Sequence, residues 1–297
     1  MRHGTYSIVA LDPETGELGA AVQSHWFSVG SLCTWARPGV GAVATQSVVE
    51  PAHGPNALDL IAAGASAEEA LGALLDADPL RTVRQLGIVD ARGGVAVSTG
   101  PDCIAHAGDV TGATWSCQAN MMERDTVPAA MSAAFEAADG DLAARLLAAL
   151  QAAQGEGGDV RGRQSAALLV VPPEGEAWRA RVDLRVEDHR EPLAELERLL
   201  GLWRAYELAG AADELMAADR ADEAGALYRR AAELAPDSDE LLFWAGLSVA
   251  HAGEIDEGAA AVRRAAEVQP NWLVLLDRLS PDFAPAGAAV RAALGRG

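Results

Sequence analysis

Several groups of polar residues in this chain have types and spacings that invite chemistry. Cys103 and His106 stand three apart, and Cys117 follows eleven residues later. That offers at most three ligands with no strong fourth partner, whereas zinc sites show tighter pairs on both sides. No metal is expected. The glycine-rich stretch 155–162 precedes an apolar β-type run instead of opening a helix, so it is no dinucleotide fingerprint. No cofactor is expected either. Within that stretch Asp159 and Arg161 stand two apart, a spacing that suits an ion pair holding the loop. Gln46 and Asn120 are amides that either donate to an oxyanion or cap turns. Arg185, Asp188 and His189 read as a buried ionic cluster fixing the last strand. The chain has no Lys, so all 23 of its basic residues are Arg. A P-loop, a Schiff-base lysine and a Ser–Lys dyad are therefore excluded.

The elements that must position these residues follow from periodicity. Residues 5–11 and 18–24 read as a hairpin over Asp12-Pro13-Glu14-Thr15-Gly16. Residues 28–36 and 40–47 read as a second one over Arg37-Pro38-Gly39. Two helices follow, 55–63 and 66–76, the latter with Ser66 and Glu69 as a capping box. Residues 84–90 and 94–99 form a hairpin, and 113–119 reads as a further strand. Helices at 126–138 and 141–153 break at Asp139-Gly140, and 164–171 and 178–186 close the series as a last hairpin. Hairpins make antiparallel sheets, and the apolar runs at 7–10 and 166–171 suit strands covered on both faces. Two stacked sheets with a helix layer outside each satisfy this order, giving an α+β class with an αββα sandwich. Cys33 fits a buried small hydrophobe. Trp26, Trp35 and Trp115 either line a pocket or fill the core.

Beyond Pro192 the pattern is helical to the end. Pro236 and Pro270 are 34 residues apart, the period of the tetratricopeptide repeat. Leu208, Ala224, Tyr228 and Ala231 precede the first proline in register, and Leu242, Gly246, Val262 and Ala265 precede the second. About two repeats fit before Pro270, with 271–297 as a cap. The expected division is 1–202 and 203–297, and the short array is expected to pack on the first domain or on another chain.

The composition narrows the partners. The net charge is −20, which disfavours nucleic acid and anionic membranes. Half of the 297 residues are hydrophobic, enough to bury a sizeable core. Three sparse cysteines suit a reducing compartment, and no stretch reads as a signal or a membrane span, so a soluble cytoplasmic protein is expected.

The run Thr5-Tyr6-Ser7-Ile8-Val9-Ala10, a turn, then Gly19-Ala20-Ala21-Val22-Gln23-Ser24 resembles the start of N-terminal nucleophile (Ntn) hydrolases such as the proteasome β subunit. Further motifs narrow the resemblance. They are Gly39-Val40-Gly41-Ala42-Val43-Ala44-Thr45-Gln46, Gly158-Asp159-Val160-Arg161-Gly162 and Asp183-Leu184-Arg185-Val186-Glu187-Asp188-His189. With the turn 12–16 they make residues 5 to about 205 resemble the DUF1028 family, an uncharacterised branch of the Ntn superfamily. The resemblance implies Thr5 as a nucleophile whose own α-amine, ordinarily near pKa 8, takes the hydroxyl proton. It implies an amidohydrolase acting on a C–N bond of a small amide or short peptide.

Ser7 lies two residues on and so shares the sheet face of Thr5, where it either lines the site or packs; by the resemblance it belongs to the catalytic set. Asp159 or Ser165 contacts the amine, Gln46 or Asn120 serves the oxyanion, and Ser24, Arg37 and Arg161 meet substrate. The proteasome's aspartate is Gln23 here and its activating lysine has no counterpart, Arg37 being the nearest cation by position. An Arg can repel a proton but cannot act as a base. Thr5 is preceded by Met1-Arg2-His3-Gly4, and an initiator Met is not normally removed before Arg. Three readings stay open: self-cleavage at Gly4–Thr5, a true start further downstream, or an ordinary strand threonine in a non-catalytic protein. In the last case the Ntn fold is a binding or assembly scaffold and the repeats recruit a protein partner. Self-association through the repeats is a further possibility, and a homo-oligomer is expected.

Overall fold

A computed structural model describes residues 4–218 and 220–296. The expectation about Met1 to His3 therefore concerns positions outside the described residues. The chain divides into two compact units, one ending at Arg198 and the other starting at Leu199. The boundary falls inside one continuous helix, Pro192–Ala217.

The first unit contains two antiparallel sheets. Its opening hairpin, β1 (Thr5–Leu11) and β2 (Leu18–Ser24), pairs Thr5 with Ser24 and Leu11 with Leu18. Residues 28–36 do not form the expected strand. A short helical turn, α1 (Gly30–Cys33), occupies its middle, and only β3 (Thr34–Arg37) is extended, pairing with β4 (Gly41–Ser47). The cause is distant in sequence. The Ser165 hydroxyl accepts from the Val29 N–H at 3.0 Å and donates to the Trp26 carbonyl at 2.5 Å, which turns the chain before a strand can start.

Helices α2 (His53–Ala62) and α3 (Ala67–Ala77) come next. The Ser66–Glu69 capping box is formed in both directions. Strands β5 (Arg84–Asp90) and β6 (Val95–Thr99) complete a sheet of order β3-β4-β5-β6. The larger sheet gains a strand that the sequence reading lacked, β7 (Gly108–Thr111), beside β8 (Trp115–Asn120). After helices α4 (Val127–Ala137) and α5 (Leu142–Gly155), strands β9 (Ser165–Val171) and β10 (Val182–Val186) finish it. Its order is β10-β9-β2-β1-β8-β7. Strand β10 starts at Val182, not at 178, because Trp178 is exposed and the chain there makes a wide turn.

Alternation along the strands explains the packing, since residues two apart share a face. Val9 and Leu11 of β1 meet Ala42 and Ala44 of β4 and Val89 of β5, so the two sheets face one another. The other face of the small sheet, with Val43, Leu86 and Ile88, packs on Leu58 and Ile61 of α2 and Leu71 and Leu74 of α3. Tyr6, Ile8 and Ala10 point the other way, and the Tyr6 hydroxyl donates to Gln154 Oε1 of α5 at 3.1 Å. Each fully buried Leu, Ile or Phe in these layers contributes about 1.5–3 kcal/mol.

The second unit is helical. It holds the rest of α6 (Pro192–Ala217), then α7 (Ala221–Leu234), α8 (Asp239–His251), α9 (Ile255–Val268), α10 (Asn271–Arg278) and α11 (Gly287–Ala293). Pro236 follows α7 and Pro270 follows α9, so each proline closes a helix. Helices α8 and α9 cross where Gly246 and Gly258 meet. A Cβ on Gly246 would lie 2.7 Å from the Gly258 carbonyl. Among the described residues no helix is long and apolar enough to cross a membrane.

Candidate active site

At the end of β1 that carries Thr5, the face between the sheets turns polar. Thr5 and Ser7 occupy the positions that Val9 and Leu11 fill further along. The same alternation brings in Ser24 from β2, Gln46 from β4, Gln85 from β5, and Ser116, Gln118 and Asn120 from β8. All are at most 1% exposed. Buried polar groups are costly unless paired, and here they pair with one another. Ser7 donates to Gln46 Oε1 at 2.6 Å and accepts from Gln118 Nε2 at 2.6 Å. Ser116 donates to Gln118 Oε1 at 2.8 Å. Gln85 Oε1 accepts from Gln46 Nε2 at 2.8 Å and from Asn120 Nδ2 at 3.0 Å. Gln118 fits because Gly87 faces it; a Cβ there would come within 2.4 Å of Gln118 Oε1.

Two carbonyls are gripped at this end. The Thr5 carbonyl accepts from Gln46 Nε2 at 3.2 Å and Asn120 Nδ2 at 3.5 Å. The Gly4 carbonyl accepts from Ser24 Oγ at 2.5 Å and from an Arg161 guanidinium nitrogen at 3.0 Å. The Thr5 hydroxyl donates to Ser24 Oγ at 3.2 Å. One serine hydroxyl thus links the Thr5 hydroxyl to the carbonyl of the peptide bond just before it.

Asp159 completes the arrangement from the loop after α5. Its side chain is fully buried and takes Arg161 Nε and a terminal Arg161 nitrogen at 3.1 and 2.7 Å. It also accepts the N–H groups of Arg161 and His25 at 2.9 and 3.0 Å. The loop is pinned to the segment after β8 through a Met122–Asp159 bridge and the Glu123 N–H on the Gly158 carbonyl. A Cβ on Gly4 would sit 2.8 Å from both Asp159 oxygens, so only glycine fits before Thr5. Asp159 and burial together push the Tyr6 hydroxyl well above its usual pKa, burial being the larger cause.

Beside Asn120 lies a cavity of about 150 Å³ lined by Ser47, Val48, Val83, Asp102, Ile104 and Met121 as well as Asn120. Ser47 and Met121 have φ of 71° and 59°. Left-handed backbone at non-glycine residues costs about 1–3 kcal/mol each and clusters at functional sites. Asn120 Oδ1 is buried there without a partner.

Thr5, Ser7, Ser24, Gln46, Asn120, Asp159 and Arg161 are therefore brought together. Ser165 is not at Thr5; its hydroxyl is used by Trp26 and Val29. Arg37 lies at the far end of the β3–β4 hairpin from Gln46 and pairs with Asp59 at 2.8 Å. The expected buried cluster of Arg185, Asp188 and His189 does not form. All three are exposed, and Arg185 instead pairs with Asp183, two residues away on the same strand face. Gln23 faces the helices beside Tyr6, and its amide is buried without a partner. Cys117 faces the same way opposite Ile8, and burial pushes the Cys33 thiol up to about 12. Trp35 is half-buried, covers Gly54 of α2 and also lines a pocket with Trp178 and Arg185, and the half-buried Trp115 packs tilted against Phe135. Gln85, Ser116 and Gln118 were absent from the sequence reading. Their signal was polar residues at every second position of otherwise buried strands.

The family model described as a family of unknown function, DUF1028, matches residues 5–196. A crystal structure of a Silicibacter pomeroyi protein assigned to DUF1028 is 34% identical, with a TM-score of 0.61, covering 66% of this chain and 88% of that one. Anbu, an ancestral β-subunit from Yersinia bercovieri, is 12% identical with a TM-score of 0.35, covering 66% and 93%. A search of curated proteins returns no match. The chain belongs to the DUF1028 family.

Proposed function

We propose that residues 1–202 form an αββα Ntn-type amidohydrolase that cleaves its own Gly4–Thr5 bond and then hydrolyses a C–N bond of a small amide or short peptide. The observation that carries this is the double grip on the Gly4 carbonyl by Ser24 and Arg161, with the Thr5 hydroxyl on the same Ser24 oxygen. In the first step Thr5 Oγ1 attacks the Gly4 carbonyl carbon and passes its proton towards Ser24. The developing oxyanion is held by Ser24 and Arg161. The C–N bond breaks, the nitrogen of Thr5 takes the proton, and water hydrolyses the resulting ester. The freed amine then serves as base for the same hydroxyl in each turnover, a role Arg cannot fill. The hydrogens of Gln46 and Asn120 are engaged by Thr5's own carbonyl and by Gln85, so these amides hold the nucleophile's strand in place.

A second reading is favoured by one fact: with Gly4 in place Thr5 is fully buried. In it the first unit is a non-catalytic scaffold. Residues 203–297, with about two tetratricopeptide-like repeats, recruit a partner or a second copy through exposed apolar residues such as Phe283 and Val268. The intact mass of untagged protein, backed by N-terminal sequencing, separates the two. A chain beginning at Thr5, lost in Thr5→Ala, supports the enzyme. A chain that retains Gly4 under all conditions overturns it.

A further inference from the structure

The surroundings of Gly4 bear on what the Thr5 site can accept. Gly4 is buried, and two donors fix its carbonyl oxygen: Ser24 Oγ at 2.5 Å and an Arg161 guanidinium nitrogen at 3.0 Å. Asp159 closes over its α-carbon. A Cβ built there would lie 2.8 Å from both carboxylate oxygens and 2.9 Å from the carboxyl carbon. Contacts of a real Cβ do not come so close, so a side chain at this point requires the carboxylate to move.

The carboxylate is not free to move. Its side chain is 0% exposed. Arg161 reaches it with Nε at 3.1 Å and with a terminal nitrogen at 2.7 Å. The N–H groups of Arg161 and His25 add bonds at 2.9 and 3.0 Å. Turning Asp159 away from Gly4 gives up these bonds and strands a buried charge. It also releases Arg161, which is one of the two donors on the Gly4 carbonyl.

Self-cleavage and turnover share one kind of intermediate, an acyl ester on Thr5 Oγ1. In self-cleavage the acyl group is that of Gly4. In turnover it is the substrate's, and its carbonyl oxygen is stabilised only where it meets the same donors, Ser24 and Arg161. The first carbon beyond that carbonyl then falls where the Gly4 α-carbon lies, under Asp159.

We propose that the acyl half of the substrate ends in glycine: the enzyme cleaves glycyl amides, or peptide bonds that follow glycine, and rejects an L side chain at that position. The inference rests on the reading of Thr5 as the nucleophile. Thr5 Oγ1 passes its proton to the freed α-amine and bonds the glycyl carbonyl carbon. The departing nitrogen takes that proton as the C–N bond breaks. Water then hydrolyses the ester, releasing an acid that ends in glycine and restoring the hydroxyl.

The test compares acetylglycyl and acetyl-L-alanyl p-nitroanilide as substrates of the full chain, with its N-terminus read by intact mass in the same sample. The two compounds differ by one methyl group on the α-carbon. The alanyl compound should show a kcat/KM about tenfold to two-hundredfold lower, and Thr5→Ala should hydrolyse neither. Equal rates, or faster hydrolysis of the alanyl compound, would overturn the proposal and leave the nucleophile standing. So would a chain that begins at Thr5 and hydrolyses neither compound. A chain that keeps Gly4 removes the nucleophile and the proposal with it, as does glycyl hydrolysis that persists in Thr5→Ala.

Discussion

Ser24→Ala is the sharpest perturbation of the Thr5 site. Ser24 Oγ donates to the Gly4 carbonyl at 2.5 Å and accepts from the Thr5 hydroxyl at 3.2 Å, and the substitution removes both bonds. In the folded ground state this strands the buried Thr5 hydroxyl, about 1–3 kcal/mol of stability. In the transition state the same hydroxyl faces a full developing charge. Loss of one such donor slows acyl transfer by about a hundredfold to a thousandfold, or about 3–4 kcal/mol. Arg161 remains as the second donor, so cleavage is slowed but not abolished. The assay is cell-free synthesis with timed quenching, reading the fraction of chains that begin at Thr5 by intact mass. Urea denaturation of the purified variant checks that the fold survives. The reasoning is refuted if Ser24→Ala is processed at the rate of the unaltered chain while Thr5→Ala is not processed.

Gln85→Leu should lower stability by about 1–3 kcal/mol in urea denaturation, because Asn120 Nδ2 keeps only its long bond to the Thr5 carbonyl, while Gln46 Nε2 retains the Thr5 and Gln118 carbonyls. Asp78 predicts an acid transition. Burial works against its charge, but the bonds from Arg84, the Leu80 N–H and His53 outweigh burial and hold its pKa at about 2, below the ordinary 3.8. A lowered folded pKa gives stability that is present above about pH 4 and lost as pH falls towards 2. Asp78→Asn should remove that part of the pH dependence, measured as the urea midpoint from pH 6 to pH 2. In the helical unit two glycines should respond in opposite senses. Gly210→Ala meets nothing within 4 Å and should stabilise by about 0.5–1 kcal/mol through helix propensity. Gly246→Ala would press on the Gly258 carbonyl at 2.7 Å and should destabilise by about 1–3 kcal/mol despite the same propensity gain, both read from thermal melts.

The residues that made the fold legible were those whose partners are local. The β1–β2 hairpin, the β5–β6 hairpin and the Ser66 cap all stand where alternation and turn chemistry put them. The misplacements have long-range causes. The turn at 30–33 depends on Ser165, 136 residues from Val29. Strand β7 starts with Gly108 and Asp109, poor β formers, and is held as an edge. Gln85 Nε2 donates to the Gly108 carbonyl and Thr99 donates to Asp109. Arg185, Asp188 and His189 looked like a cluster because they are close in sequence. They lie at and beyond the end of an edge strand, whose outer face is wet. In the site, Thr5, Asp159 and Arg161 were found through motifs, whereas Gln85 and Gln118 carry no motif. Each is an ordinary strand residue until the second sheet arrives to bury it.

The contrast between the two gripped carbonyls bears on why Arg161 is where it is. The Thr5 carbonyl is held by two neutral amides inside a network that is almost wholly buried. That suffices for a carbonyl that keeps its ground-state dipole. The Gly4 carbonyl has the Ser24 hydroxyl at 2.5 Å, and already needs no further donor to satisfy it. It nevertheless receives a guanidinium, oriented by the buried Asp159 carboxylate and partly open to solvent. A charged donor gains little on a neutral carbonyl and far more on an oxyanion, so its value is differential. Asp159 has a second use, since its oxygens close over Gly4 and admit no side chain there. One ion pair thus fixes which residue can precede Thr5 and supplies the charge that its removal would require. The same ion pair also holds its own loop, through the Arg161 and His25 N–H groups on Asp159, a use that a non-catalytic scaffold would share; the proposed enzyme reading adds the charge on the Gly4 carbonyl to that structural role.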